Sequence, residues 1–237
     1  MQRYFASLKD NYAVLDEDQI FHIEKVMRMK VGDEFELVSE GKVHLMKINS
    51  FKPLTAVKLR DIEEDNELPN KLTLIFSPIK GDHTELVLQK CTELGVTSFV
   101  LLNTSRTVVK IDNSSKKLDR FNKIILEASE QSKREYLPCI DKIINVAELG
   151  SINADIKLIA YENFSKETDT FFKELNKIKG NESVAVIIGP EGGFSEEEVK
   201  KAQELGYVPI SLGKRILRAE TASINVISVI SNYLERK

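Results

Sequence analysis

The glycine-rich segment IIGPEGGFSEEEV (187–199) begins with apolar residues typical of a buried strand and ends with an acidic run typical of a helix start. Glycines at the end of a strand let backbone amides approach a ligand closely, and the helix that begins near Ser195 points further amide donors the same way. The segment has the spacing of neither the GxxxxGK(S/T) nor the GxGxxG loop, so it predicts neither a triphosphate nor a dinucleotide site. A tight strand-to-helix turn without a ligand explains it as well.

A second loop follows the next strand and carries three cations. The segment SLGKRILRAETA (211–222) contains Lys214, Arg215 and Arg218 ahead of a helix that is apolar over most of its circumference. In an open parallel sheet, ligands bind beyond the carboxyl ends of the strands, so two such loops are expected to share one site. The apolar helix is buried on more than one side. Either the chain's own core or another subunit covers its second side.

Composition and charge narrow the class of protein. The chain has 237 residues, 42% of them hydrophobic, a net charge of -3 and a pI near 5.8, which argues against indiscriminate polyanion binding. Residues 101–134 nevertheless carry eight cations against four acids, a local net charge of +4. Cys91, Cys139 and the three histidines are scattered, which predicts buried thiols and no metal site. Without a signal segment or a membrane-length apolar run, a cytoplasmic protein is expected.

The elements around the two loops fall into two regions. Residues 1–60 contain short runs with strand-like spacing and one helix over about 16–29, with Ile20, Ile23, Val26 and Met27 on its buried face, which predicts a small β-barrel. Five acids between Asp61 and Glu67 indicate a solvated linker. We therefore expect one domain over residues 1–68 and a second over 69–237.

From residue 71 onward, short apolar strands alternate with helices, which predicts an α/β fold whose parallel sheet is covered on both faces. Two capping boxes, Asp82 with Glu85 and Ser195 with Glu198, mark helix starts. A further helix is predicted over about 116–134, with one row of apolar residues that faces the core.

At this level of detail the sequence resembles the ribosomal RNA small subunit methyltransferase E family, within the SPOUT class of knotted methyltransferases. The resemblance rests on IIGPEGGFSEEE followed by LGKRILRAETA, and on upstream blocks in the same order: HIEKVMRMKVGD (22–33), LQKCTELGV (88–96), SRT (105–107) and EASEQSKREYLP (127–138). It implies a PUA-like β-barrel that binds RNA, then a SPOUT-type domain with a C-terminal trefoil knot. It also implies a homodimer joined through the knotted domain, with the helix after Thr221 as its interface.

The activity implied by the resemblance is methylation of uridine N3 in 16S ribosomal RNA, with S-adenosylmethionine as cofactor and the RNA or the small subunit as partner. The implied cofactor-binding residues, at three strand ends, are Ile159, Tyr161, Glu162, Ile188, Gly189, Pro190, Gly192, Gly193, Leu212, Gly213, Ile216 and Leu217. The implied RNA-binding residues are Arg3, His22, Lys25, Arg28, Lys30, Lys90, Arg106, Gln131 and Arg134.

Transfer to uridine N3 requires that the nitrogen lose a proton, so a carboxylate base or a cation near the flanking carbonyl oxygens would help. Arg218 is the expected cation, with an ion pair to Glu220 as its structural alternative, and Glu127 and Glu220 are the candidate bases. Gln131 and Arg134 could hold either the base or a phosphate. Two other functions stay open: a non-catalytic RNA-binding or assembly protein on the same scaffold, and a SPOUT methyltransferase for another RNA.

Overall fold

The computed structural model of the chain describes residues 1–111, 116–161 and 170–236. Two compact units are present: residues 1–67 together with 126–137, and residues 68–125 together with 138–237. A helix over Lys117–Gln131 contributes residues to both units. The division is therefore not a single cut near residue 68, and the assignment of separate functions to 1–68 and 69–237 stays a prediction.

The first unit is built on a six-stranded sheet with the spatial order β1-β4-β5-β6-β3-β2. Its strands are β1 (Arg3–Phe5), β2 (Ser7–Lys9), β3 (Tyr12–Val14), β4 (Glu34–Ser39), β5 (Lys42–Phe51) and β6 (Leu54–Ile62). The backbone N–H of Leu8 on β2, the last strand of the order, donates to Ser39 Oγ at 3.2 Å on β4, which lies next to the first strand. The small core centres on Tyr4, Phe35 and Met46. The predicted small β-barrel is confirmed.

The single helix of the barrel departs from the predicted face. Helix α1 (Glu17–Phe21) begins with a capping box between Asp16 and Gln19 and continues as a π-helical turn over His22–Val26. Of the four residues predicted to be buried together, only Ile23 is fully buried, whereas Val26 and Met27 are exposed. A π-helical turn holds more residues than an α-helical one, so it rotates the later side chains away from the core.

The second unit contains a six-stranded, fully parallel sheet with the order β12-β10-β11-β7-β8-β9. Its strands are β7 (Leu72–Phe76), β8 (Ser98–Asn103), β9 (Cys139–Asn145), β10 (Ile156–Ala160), β11 (Val184–Ile188) and β12 (Val208–Ile210). Separate apolar clusters cover the two faces of the sheet. The predicted α/β fold with a parallel sheet is confirmed. Strand β9 was not predicted, because as an edge strand it is mostly exposed and lacks the continuous apolar run of the other strands.

The helices of this part of the chain are α2 (His83–Glu93), α3 (Lys117–Gln131), α4 (Thr170–Leu175), α5 (Glu196–Glu204) and α6 (Ala219–Leu234). Helix α5 begins with the predicted Ser195–Glu198 capping box. The predicted box at Asp82 is wrong, because its side chain makes no capping hydrogen bond. Thr84 instead secures this turn, since its hydroxyl accepts from Ile79 N–H at 2.8 Å and donates to Ile79 O at 3.0 Å.

Helix α6 is buried by its own chain over a wide face. Val226, Ile227 and Ile230 are fully buried in the core, while Asn225 and Ser228 lie on the exposed side. The chain's own core thus accounts for these apolar residues. The dimer interface and the knot stay predictions.

Three predictions about composition can be compared with the structure. Cys91 is buried as expected, but Cys139 is exposed because it lies on edge strand β9. Within the described ranges, no helix has the length and apolarity that a membrane span requires. The same residues contain no group of three or more His, Cys, Asp or Glu side chains arranged to hold a metal ion.

Candidate functional site

A cavity of about 540 Å³ lies at the carboxyl ends of β10, β11 and β12, three neighbouring strands of the parallel sheet. Its walls are the segments that leave these strands, together with the start of α2 and the start of α6. Carboxyl ends of parallel strands meet at one edge of the sheet, which is where ligands bind in folds of this kind. The two loops singled out from the sequence therefore do share one site.

Most of the predicted cofactor-binding residues line this cavity. They are Tyr161, Ile188, Gly189, Pro190, Gly193, Leu212, Gly213, Ile216 and Leu217. Ile159 and Gly192 do not line it. The Ile159 side chain is buried in the apolar cluster that contains Val199 and Tyr207, and Gly192 faces Arg106. Glu162 lies outside the described residues.

The glycine loop between β11 and α5 is held by hydrogen bonds from two neighbouring loops. Arg106 Nη1 donates to Gly192 O at 2.9 Å and to Phe194 O at 3.3 Å, and Lys80 N–H donates to Glu191 Oε1 at 3.1 Å. Arg106 was predicted to bind RNA, but its guanidinium is engaged in bracing this loop. Arg106 is nevertheless exposed, and its contact with RNA stays a prediction.

Close packing explains why a glycine occurs at the start of this loop. A Cβ atom at Gly189 would lie 2.9 Å from Cε2 of Phe194, whose ring is buried. That is closer than real Cβ contacts permit, so a side chain here would force the ring or the loop to move. The backbone at Gly189 therefore forms the cavity wall directly.

The predicted cation and one predicted base meet at the start of α6. Arg218 and Glu220 both line the cavity, with Arg218 exposed and Glu220 buried. The alternative ion pair between them is not formed, and within the described part of the chain no acid lies within salt-bridge distance of Arg218. Glu220 Oε1 instead lies 3.6 Å from Nδ1 of His83. The second candidate base, Glu127, belongs to the first unit and does not line the cavity.

The sequence interpretation missed the β7–α2 connection, from which Ile79, Lys80 and His83 line the cavity. They lack a glycine-rich signature, so no motif singled them out. One signal was available: β7 is a strand of the same parallel sheet, so the segment that follows it must reach the same edge.

In the first unit, the predicted RNA contacts of Arg3 and Arg134 are wrong, because both side chains are buried and paired. Arg3 Nε donates to Glu36 at 2.9 Å, its Nη2 donates to Glu64 at 2.5 Å, and its Nη1 donates to Lys133 O at 2.7 Å. Arg134 forms a salt bridge with Glu67 at 2.8 Å. Burial raises the pKa of Glu36, but hydrogen bonds from Lys133 and Arg3 outweigh it and hold that pKa below its usual value.

Other predicted RNA-binding residues of this unit remain accessible. Lys25, Arg28 and Lys30 are exposed around the end of the π-helical turn, although Arg28 has left the helix with a φ of +52°. His22 accepts or donates a hydrogen bond at Nδ1 with Tyr4 OH, 2.8 Å away. Gln131, the last residue of α3, is exposed.

Lys90, another predicted RNA-binding residue, lies on α2 in the second unit. Its ammonium group donates to Glu93 at 2.8 Å, one helical turn further along the same helix. The pair is partly exposed to solvent, and a phosphate contact of Lys90 stays a prediction. Lys90 does not line the cavity.

Family models and known proteins are similar to this chain over nearly its whole length. A model described as RNA methyltransferase domain matches residues 66–231, and one described as RNA methyltransferase PUA domain matches residues 15–59. A relative from Bacillus subtilis (strain 168), ribosomal RNA small subunit methyltransferase E, is 34% identical over 99% of this chain and 98% of its own length. A relative of the same name from Synechocystis sp. is 34% identical over 92% of this chain and 72% of its own.

A solved structure has the same fold over nearly the whole chain. It is the crystal structure of a ribosomal RNA small subunit methyltransferase E from Neisseria gonorrhoeae bound to S-adenosyl methionine. The two chains are 30% identical with a TM-score of 0.86, covering 98% of this chain and 97% of the other. The likeness therefore includes both the barrel and the parallel sheet.

Proposed function

Because the chain belongs to the ribosomal RNA small subunit methyltransferase E family, we propose that it transfers a methyl group from S-adenosylmethionine to N3 of a uridine in 16S ribosomal RNA. The observation that carries this proposal is the cavity built from the ends of β10, β11 and β12. A family member of the same fold is bound to S-adenosyl methionine. We further propose that the barrel of residues 1–68 binds RNA, and that the protein acts in the cytoplasm as a knotted homodimer.

The residues of the cavity fit this cofactor. Ile188, Leu212 and Leu217 supply apolar surface for an adenine ring, and Gly189 and Gly213 leave backbone groups accessible at the wall. The volume of about 540 Å³ is in the range of small-molecule sites. When bound, S-adenosylmethionine supplies a methyl carbon that is open to attack by a nucleophile.

The residues around the reacting nitrogen have two tasks. They must hold the uridine in line with the methyl group, which by itself lowers the barrier substantially. They must also support loss of the N3 proton, since negative charge then spreads onto the flanking carbonyl oxygens. Arg218, exposed at the cavity with no acid partner in the described ranges, is the residue we assign to stabilising that charge.

The RNA must present an unpaired uridine, because N3 lies on the Watson-Crick edge of the base. Lys25, Arg28 and Lys30 are exposed on one segment of the barrel, and we assign them to backbone phosphates flanking the target. Contacts of this kind weaken as salt concentration rises. Binding of the RNA should therefore depend more steeply on salt than binding of the cofactor.

The proposed specificity is tested by primer extension on 16S ribosomal RNA. A methyl group on N3 blocks base pairing, so reverse transcriptase should stop at one uridine in RNA from wild-type cells and read through in RNA from cells lacking this protein. Identical stops in the two RNAs would refute the assignment to uridine N3 in this RNA.

The role of Arg218 is tested separately with Arg218→Ala. We expect turnover to fall by about 100-fold, the loss found when one oxyanion-stabilising donor is removed, while the Kd for S-adenosylmethionine changes by no more than about threefold. Isothermal titration measures the Kd, and Arg215→Ala, which removes a neighbouring exposed cation of the same loop, serves as the control. A loss of cofactor binding in Arg218→Ala would move this residue from catalysis to cofactor binding.

A further inference from the structure

His83 is a titratable side chain that lines the candidate cavity and has no role in the proposal for Arg218. We propose that His83 is the base that accepts the N3 proton of the uridine, and that Glu220 is a positioning residue that orients and stabilises its imidazolium. The inference rests on the proposed function, because it assigns a role within that reaction.

The pair is formed by two segments far apart in the chain. Nδ1 of His83 lies 3.6 Å from Oε1 of Glu220, within ion-pair range but longer than a hydrogen bond. Such catalytic contacts are often long before the substrate is bound and shorten in the reacting complex. With Nδ1 directed at Glu220, Nε2 is the nitrogen left to accept a proton, and in the described ranges it has no hydrogen-bond partner.

His83 stands on a connection that is tied to the rest of the site. It is the first residue of α2, and the preceding Gly81 has a φ of +63°, which allows the chain to turn sharply into the helix. The Thr84 hydroxyl and Ile79 are joined by two hydrogen bonds, and Lys80 N–H is bonded to Glu191 of the glycine loop. These bonds hold the imidazole beside the loop that we assign to the cofactor.

His83 and Glu220 differ in exposure, and this difference indicates which of them takes the proton. The Glu220 side chain is 11% exposed, whereas the His83 side chain is 48% exposed. A buried carboxylate beside an imidazole stabilises the imidazolium that forms when the ring takes up a proton. The half-exposed imidazole can then pass that proton to water, which the enclosed carboxylate is less able to do. This arrangement favours His83 over Glu220 as the group that takes the proton directly.

The reaction balances with these two groups and the substrates alone. The N3–H bond breaks, its proton goes to Nε2 of His83, and its electron pair forms the new bond from N3 to the methyl carbon. The carbon–sulfur bond breaks with its electron pair remaining on sulfur. The proton then leaves His83 for solvent, so one proton is released for each methyl group transferred.

The test compares His83→Ala and His83→Gln with the wild type, on RNA that contains the target uridine. Loss of a general base is expected to lower kcat by about 10²- to 10⁴-fold, with the Kd for S-adenosylmethionine within about threefold, which also shows that the variants fold. The deficit should narrow as the pH rises, because the imide of uridine then loses its proton without help. A residue with a merely structural role would lower the rate by the same factor at every pH.

The wild-type pH profile cannot be assigned to one residue by itself, because other charged groups line the same cavity. These are Lys80, Glu191, Lys214, Arg215, Arg218 and Glu220. Lys123→Ala is therefore the control, since it removes an exposed charge on α3 that does not line the cavity and should leave the shape of the pH profile unchanged. Glu220→Gln should lower kcat by about tenfold, and combining it with His83→Ala should cause little further loss, because partners acting as one unit are not additive.

Two failures are distinguishable. If the wild-type protein forms no 3-methyluridine, measured by mass spectrometry of the digested RNA, the proposed function falls and this inference falls with it. If the wild type forms it but His83→Ala keeps kcat within about threefold, or shows a deficit that does not change with pH, the role of His83 is refuted while the proposed function stands. Additive losses for His83 and Glu220 would refute their coupling.

Discussion

A partly buried carboxyl group in the first unit should make the stability of the protein depend on pH. Glu130 lies on α3, and its carboxylate accepts a hydrogen bond from the backbone N–H of Phe5. Burial raises the pKa of Glu130 from its usual 4.5 to about 7, and repulsion from Glu127 and Asp16 adds to the increase. The folded protein therefore holds this proton more tightly than the unfolded chain does.

The sign of the effect follows from linkage. Between pH 4.5 and 7 the folded state binds more protons at this site than the unfolded state, so the free energy of unfolding falls as the pH rises through this window. At about 1.4 kcal/mol per pH unit, the full difference between 4.5 and about 7 corresponds to roughly 3 kcal/mol. Glu130 is partly exposed, and solvent screening reduces this to about 1–2 kcal/mol.

The perturbation is Glu130→Gln, which keeps the shape of the side chain and removes its titration. Urea unfolding of wild type and variant at pH 5, 6, 7 and 8 should show the wild type losing about 1–2 kcal/mol more than the variant across this range. Glu34→Gln is the control, because Glu34 is an exposed carboxylate on β4 of the same unit. A stability difference between wild type and Glu130→Gln that is constant from pH 5 to 8 would refute this reasoning.

Two further changes test the packing of the cofactor loop and the buried charges of the barrel. Gly189→Ala places a Cβ 2.9 Å from the buried Phe194 ring, so it should displace the loop at a cost of about 1–3 kcal/mol of stability. A titration should then show weaker binding of S-adenosylmethionine. Unchanged affinity would contradict this role of Gly189. Arg3→Met leaves the carboxylates of Glu36 and Glu64 without their fully buried partner. Thermal or urea unfolding should therefore show that the free energy of unfolding falls by about 3 kcal/mol. A fall of less than about 1 kcal/mol would show that Lys133 and solvent replace Arg3.

Local patterns predicted most of the elements and the two loops of the site, although they missed β9. Short apolar strands alternating with helices predict a parallel sheet, and the strand ends of such a sheet meet at one edge. Gly189 and Leu212 could therefore be placed together from local patterns, whereas Tyr161 joined them only through the family resemblance. The family blocks extended this to a cofactor and a substrate, although neither the knot nor the dimer follows from periodicity.

The environment of individual charged residues followed from the tertiary structure alone. Arg3 and Lys25 are both candidate RNA contacts in the sequence, yet Arg3 is fully buried against two carboxylates and Lys25 is exposed. The partners that decide this lie far away in the chain, beyond the reach of any local pattern. For the same reason, local sequence patterns did not predict the pairing of His83 with Glu220. Periodicity is local, so it predicted where most strands and helices lie and which two loops share an edge of the sheet; the tertiary contacts set which charges are paired, exposed or directed into the cavity.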